Sequence, residues 1–314
     1  MQGTQKRALR QGVHEGRSRG REYNGPYEGE YLSWVAFPMG GIGAGMICLE
    51  GTGALSHVSI RNRPDLFNEP AVFSAIHIKE TGVTRVLEGP VPKWKLHGRP
   101  GTGLGASGKT YGLPRFKEAS FLARFPFGTV RLSDPKIPFE VEVTGWSPFV
   151  PGDADSASLP VVGLEFRFRN TADRPYSAVY SFNARNFMAT GSGGDSVTPL
   201  EIQSSVGPVA GFVLRQPGKV RPSEEGHFAA YVDEAEATVD CAWFRGGWWD
   251  PLSMAWNKVS QGDTTPRGPY VGSDPSPGGS LFVPFVLGLG EEKVIRLRLA
   301  WYVPNSDLRT GPPP

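Results

Sequence analysis

Val162-Gly163-Leu164-Glu165-Phe166-Arg167-Phe168-Arg169 is the stretch on which the reading of the fold rests. Its apolar side chains fall at every even position and its charged or small ones at every odd position. Successive side chains of a strand point to opposite faces, so this pattern sets one face in a core and the other in water, as in a half-buried antiparallel strand. The same alternation recurs in Ile295, Leu297, Leu299 and Trp301 between Arg296, Arg298 and Ala300, and in Val141 and Val143 between Glu140, Glu142 and Thr144. Further strands are expected over Gly45–Glu50, Leu55–Arg61, Val72–Lys79, Phe121–Leu132, Ala178–Arg185, Phe212–Arg215, Phe228–Val232 and Thr238–Phe244. No segment sustains a helical apolar stripe, and clusters of Gly, Pro, Asp, Asn and Ser separate the strands. The expected fold is all-β, a large antiparallel two-sheet β-sandwich with long loops. The longest irregular stretches, Pro92–Leu113 and Met254–Gly279, exceed ordinary hairpin loops and are expected to be functional, docking or disordered segments.

Composition sets the outer limits. The chain has 314 residues, with 41 Gly and 29 Pro, enough length to bury a large core without disulfide or metal staples. Its net charge of +2 is uneven: Lys6, Arg7, Arg10, Arg17, Arg19 and Arg21 give the first 22 residues an excess of +4, leaving the remainder at −2. No aromatic or amphipathic pattern accompanies that charge, so residues 1–22 read as a solvated basic tail, and nucleic acid is not expected as a partner. No window approaches the roughly eighteen consecutive apolar residues of a membrane span, since even Leu281–Leu289 is broken by Pro284 and Gly288. Cys48 and Cys241 lie in apolar strand-like segments and read as buried reduced thiols, which favours the cytoplasm.

Two motifs invite a nucleotide reading and both fail it. Gly103-Leu104-Gly105-Ala106-Ser107-Gly108-Lys109-Thr110 matches a phosphate-binding loop at every fixed position. Such a loop works only between a buried strand and a helix N-terminus, whereas Trp94–Pro100 is no apolar strand and Gly112 and Pro114 fall where the helix would begin. A flexible glycine loop is expected instead, with no bound nucleotide. Gly40-Gly41-Ile42-Gly43-Ala44-Gly45 lacks dinucleotide spacing and leads into a strand; its glycines, Gly41 and Gly43 among them, fit a sharp turn or close approach to a neighbouring surface. The histidines and cysteines show no metal-ligand spacing, no nucleophile elbow is present, and no cofactor is expected. In Trp243-Phe244-Arg245-Gly246-Gly247-Trp248-Trp249-Asp250 adjacent rings cannot share one strand face, so Trp248 or Trp249 must meet a loop, a ligand or another domain. Arg61-Asn62-Arg63-Pro64-Asp65 ends a strand in a dense polar cluster suited to an interface or an internal ion pair.

Taken in order, Gly40–Gly45, Ser59–Pro64, Gly112-Leu113-Pro114-Arg115-Phe116, Phe125-Pro126-Phe127-Gly128, Ser147–Gly152, Asp155–Pro160 and Leu299–Asn305 resemble the N-terminal domain of glycoside hydrolase family 116, from about Tyr27 to Asn305. That family includes β-glucosidases, β-xylosidases and the non-lysosomal glucosylceramidase. The resemblance implies an N-terminal β-sandwich followed by an (α/α)6 barrel carrying a glutamate nucleophile and an aspartate acid/base, a retaining mechanism. Those catalytic motifs belong to the barrel, so no catalytic residue is assigned to this chain. It also implies that the phosphate-loop lookalike is a variable loop ahead of Gly112-Leu113-Pro114-Arg115-Phe116. The expected organisation is a basic tail over 1–22, one β-sandwich over 23–305, and the start of a linker to an absent barrel over 306–314. Gly41, Gly43, Arg63, Trp248 and Trp249 are the candidate contacts with that barrel, supplied in cis or in trans, or with a β-glucoside or glucosylceramide-like ligand. The competing reading is a freestanding carbohydrate-binding or scaffold module without catalysis.

Overall fold

The computed structural model describes residues 21–66, 68–97, 109–202, 204–205, 207–272, 274–308 and 311. The basic leader, most of the phosphate-loop lookalike and most of the expected linker lie outside them. Among the described residues seventeen strands run in chain order: β1 Tyr27–Glu28, β2 Ala36–Met39, β3 Met46–Glu50, β4 Leu55–Ser59, β5 Val72–Ile78, β6 Val83–Val86, β7 Glu118–Arg124, β8 Phe127–Ser133, β9 Phe139–Trp146, β10 Val161–Asn170, β11 Tyr176–Arg185, β12 Ser196–Pro199, β13 Ala210–Gln216, β14 Gly226–Val232, β15 Thr238–Asp240, β16 Gly278–Leu287 and β17 Glu292–Tyr302. Three short α-helices join them, α1 Lys93–Leu96, α2 Ala154–Ala157 and α3 Pro251–Ser260, with 3-10 turns at Gly29–Trp34 and Pro222–Glu224.

The strands form an antiparallel sandwich. A nine-stranded sheet runs β1-β7-β8-β9-β10-β17-β14-β13-β12, a five-stranded sheet runs β15-β16-β11-β5-β6, and a three-stranded sheet runs β2-β3-β4. Val162, Leu164, Phe166 and Phe168 are buried, whereas Arg167 and Arg169 face water. Across the core the Phe166 and Tyr180 rings lie 4.9 Å apart, Phe168 and Phe285 5.4 Å, and Phe182 and Phe212 6.1 Å. These aromatic contacts join the two larger sheets. On the outer face Glu142 receives Arg131 at 3.1 Å and Arg167 at 3.0 Å, a solvated cross-strand ladder. The small sheet fits inside because β9 is thinned at Gly145: a Cβ there would sit 2.3 Å from the Met39 sulfur.

Among the departures from the sequence expectations, β1, β2, β6, β12 and β16 form where no strand is expected, α1 forms within Pro92–Leu113, and three further segments differ in kind. Phe121–Leu132 is not one strand but the hairpin β7–β8, turning at Phe125-Pro126. Strand pairing in Thr238–Phe244 stops at Asp240, where the carboxylate accepts the Ala242 amide at 2.9 Å and bends the chain. The third concerns Met254–Gly279, expected to be irregular, whose first seven residues belong to α3. Asp250 caps this helix by accepting the Ser253 amide at 3.1 Å, Pro251 opens it, and Leu252, Ala255 and Val259 supply a short apolar stripe. Ten residues give too few turns for the periodicity to stand out.

α3 also completes the burial. It covers the outward face of the five-stranded sheet, packing on Phe73, Ala75, Val179 and Phe282 as a second core layer. Asp240, 1% exposed, ties the layer together by pairing with Lys258 of α3 at 2.8 Å and with Arg267 at 2.6 Å. Cys48 and Cys241 are both buried free thiols; burial, with Glu50 adding to it, pushes Cys48 up to about 11, and burial, with Asp240, pushes Cys241 up to about 12. Replacing Asp240 by Ala leaves two cations without their buried partner, so Asp240→Ala is expected to lower unfolding free energy by about 3 kcal/mol, measured by urea denaturation.

Candidate functional site

Strand register places every candidate residue at one end of the sandwich. Val161 lies opposite Ala300, Tyr302 opposite His227, Gly278 opposite Arg185, Ala184 opposite Val72, and Ser280 opposite Asp240. The loops leaving these positions therefore gather together: Gly40–Gly45, Arg61–Asp65, Ser147–Pro160, the connection after β11, the 241–250 segment and the chain after β17. Trp248 and Trp249 belong here because α3, which follows them, starts beside the same end of β5 and runs away from it, reaching Thr84 with the Ser260 carbonyl at 3.4 Å.

The glycine segment is clamped from three sides. Gly40 N–H donates to Ser147 Oγ at 3.2 Å, Ile42 N–H donates to the Ala157 carbonyl at 2.8 Å, and Trp301 Nε1 donates to the Ala44 carbonyl at 2.7 Å. Gly41 is buried, and a Cβ there would meet the Leu159 carbonyl oxygen at 2.3 Å, so its smallness serves packing within this domain. Gly43 is exposed, has φ +74°, and has open space around it. Ile42 beside it is also exposed. Ser147 links this segment to a second exposed group: its amide donates to the Pro126 carbonyl, and next to it the Phe125 and Phe149 rings meet edge-on at 5.0 Å.

Arg63 is exposed and makes no hydrogen bond or ion pair among the described residues, whereas its neighbours are structural. Arg61 donates to the Glu224 carbonyl at 2.9 Å and the Met188 carbonyl at 2.7 Å; burial, with Arg63 beside it, lowers its affinity for its proton. Asn62, with a left-handed φ of 57°, donates to the Val303 and Asn305 carbonyls at 3.4 and 3.3 Å, which fixes the path of the chain after β17. The His227 and Tyr302 rings lie tilted at 60° with centroids 6.1 Å apart, and burial, followed by the Arg215 charge, lowers the His227 pKa below its ordinary value. Trp248 and Trp249 are 77% and 63% exposed; Trp248 touches Phe244 edge-on and neither indole is covered. All five sequence candidates thus share one end, but Gly41 points inward and the other four outward.

A second cluster of ionisable groups gives no signal in sequence because its members are far apart along the chain. Lys95 of α1, its side chain 3% exposed, donates to both Glu50 oxygens at 2.7 Å and to Glu69, which also accepts the Tyr111 hydroxyl. Arg115 pairs with Glu88 at 3.0 Å alongside. Burial pushes Glu50 upward against the pull of Lys95, whereas Lys95 and Tyr111 hold Glu69 below its usual value despite its burial. The enclosed space is about 30 Å³, room for about one water and no substrate. Among the described residues no group of three His, Cys, Asp or Glu side chains is arranged to hold a metal, and no helix is long and apolar enough to cross a membrane.

An antiparallel sandwich with its long loops gathered at one end defines the class of this domain; its family is given by its sequence. Residues 36–312 match the profile of the family described as beta-glucosidase 2, glycosyl-hydrolase family 116 N-term, and the chain belongs to that family. No curated protein sequence matches it. Among solved structures it is similar to a protein assigned as a kojibiose phosphorylase from human microbiome (8% identity, TM-score 0.32, covering 60% of this chain and 19% of the other). It is also similar to a polysaccharide lyase (11%, 0.31, covering 86% and 32%) and to a protein assigned as an aldose 1-epimerase from Klebsiella pneumoniae subsp. pneumoniae (15%, 0.28, covering 82% and 76%). The chain thus spans less than a third of the first two proteins, and at these scores the three likenesses carry no argument about function.

The two glycines separate packing from backbone strain. Gly41→Ala forces a Cβ into the Leu159 backbone and is expected to cost about 2 kcal/mol, whereas Gly43→Ala bears only its left-handed φ, about 1 kcal/mol. Paired urea titrations measure the difference.

Proposed function

We propose that this chain is the non-catalytic N-terminal domain of a retaining β-glycosidase of the β-glucosidase or glucosylceramidase type. In this reading its loop end packs on an (α/α)6 catalytic barrel, in cis or in trans, and lends loops to the rim of the sugar pocket. One observation carries the proposal: a single end of the sandwich gathers exposed Ile42, Phe125, Phe149, Val150, Leu159, Trp248 and Trp249 around the rigid glycine segment. Apolar groups gathered in this way mark a surface meant to be covered. Family membership supports a catalytic domain as the partner, since this is the N-terminal part of a glycosidase family. Arg63, unpaired among the described residues, with Asp65 nearby, gives the rim a polar character suited to orienting that partner. The chemistry itself, protonation of the glycosidic oxygen and attack by a carboxylate, belongs to the barrel. Two buried thiols fit the reducing cytoplasm as the place of action.

The test mixes the purified chain with a family 116 barrel produced as a separate protein. Sedimentation velocity and hydrolysis of a chromogenic β-glucoside are monitored together. A complex is expected, weakened by about tenfold or more in Phe149→Asp and made less salt-sensitive by Arg63→Glu. Absence of a complex, with a barrel rate indifferent to the added chain, contradicts the reading.

A further inference from the structure

We propose that a groove at the opposite end of the sandwich binds a neutral oligosaccharide, with the Trp94 indole as its stacking platform. The groove, about 980 Å³, lies between the 3-10 turn Gly29–Trp34, the segment Pro90–Trp94, the start of β7 and the end of β8. Pairing of Glu118 with Ser133 places it at the far end of the β7–β8 hairpin from the Arg124–Phe127 turn. It therefore lies away from the loop end, and the inference does not rest on the docking reading. Its size is at the upper limit of the about 300–1,000 Å³ usual for small-molecule clefts, room for more than one sugar ring.

Its lining selects the chemistry. Most of the exposed lining is apolar, from Leu32, Pro90, Val91, Pro92 and Trp94; on it Glu28, Glu30 and Glu118 stand against Lys93, Lys117 and Arg131, an even balance, with Ser33, Thr52, Ser120 and Ser133 between them. A polyanion or polycation would meet as many charges of its own sign as of the other. A neutral ligand bearing many hydroxyls instead finds both donors and acceptors, and the flat indole meets the apolar face of a sugar ring. Trp94 is 57% exposed, so one side of its ring is free to be covered.

The buried ion cluster explains how so short a helix holds that ring. α1 is a single turn of four residues and has no stability of its own. Lys95, anchored by Glu50 and Glu69 in β3 and the β5 approach, pins the turn from beneath, and its ammonium lies 5.3 Å from the centre of the Trp94 ring. The platform is thus fixed before any ligand arrives, which removes part of the ordering cost of binding.

The full 314-residue chain is titrated by calorimetry with cellohexaose, laminarihexaose and maltohexaose. Saturable binding of at least one, unchanged between low and high salt, is expected. Trp94→Ala should weaken it tenfold or more, Trp94→Phe only a few-fold, and Glu118→Gln, whose exposed side chain is not needed for folding, measurably. A urea midpoint for Trp94→Ala close to that of the unaltered chain shows that folding is intact. The proposal is overturned by absence of saturation up to about 10 mM, by binding that survives Trp94→Ala, by steep salt dependence, or by binding that responds to Trp248→Ala and Trp249→Ala instead. None of these results bears on whether a barrel docks at the other end.

Discussion

The structure depends on burying the aromatic layer between β10 and β11. Phe166, Phe168, Tyr180 and Phe182 project toward one another from two sheets, and their removal from water is the largest favourable contribution available to a chain with so many turns. Tyr180 enters this layer with its hydroxyl satisfied by Ser74 at 3.1 Å, so even its polar end demands no water. Once β11 is committed to the core on that face, its other face, with Val179, Ser181 and Asn183, needs covering as well. α3 and Trp243 provide the cover, and Asn183 is reached by Ser280 at 2.7 Å, which itself accepts from the Trp243 indole at 2.8 Å. One constraint thus accounts for three layers: two sheets and a helix.

The two ends of the sandwich have diverged in character. At one, backbone clamps around Ala44, Ser147 and Asn62 hold apolar side chains out into solvent. At the other, a salt-bridged interior supports a charged and hydroxylated groove. Side chains on strands are set by the pleat and cannot vary without cost to the core, while the loops at either end are free of that obligation. Separate duties at opposite ends are thus compatible with a single invariant centre.

Much of the architecture is legible in the sequence because period-2 alternation is a direct imprint of burial on one side. It locates β10 and β5 to within a residue at each end, and β17 to within three. The expected β15 runs too far because Cys241, Ala242 and Trp243 are apolar, and apolarity alone does not distinguish a paired strand from a buried bend; the deciding group is the Asp240 carboxylate, whose role lies in its contacts. α3 escapes notice because ten residues offer only three buried positions. Among the candidate residues, the exposure of Trp248 and Trp249 is legible from adjacency alone, and the turn at Gly43 from its glycine run. Trp94 is not, since its significance comes from Lys95, Glu50 and Glu69, which only folding brings together. Arg61, Asn62 and Arg63 read in sequence as one polar cluster, yet the fold gives Arg61 and Asn62 internal carbonyls to bind and leaves Arg63 to the outside.

The positions of the two thiols have a further consequence. Cys48 lies in the three-stranded sheet and Cys241 just past β15, among the core side chains between the larger sheets, so each is sealed by different neighbours, and both are held as unreactive neutral thiols while that packing is closed. Alkylation of either requires a local opening that admits reagent and solvent. The chain therefore carries two native chemical clocks, one recording how often the small sheet lifts from the sandwich and the other how often the β15 edge of the five-stranded sheet parts from the core.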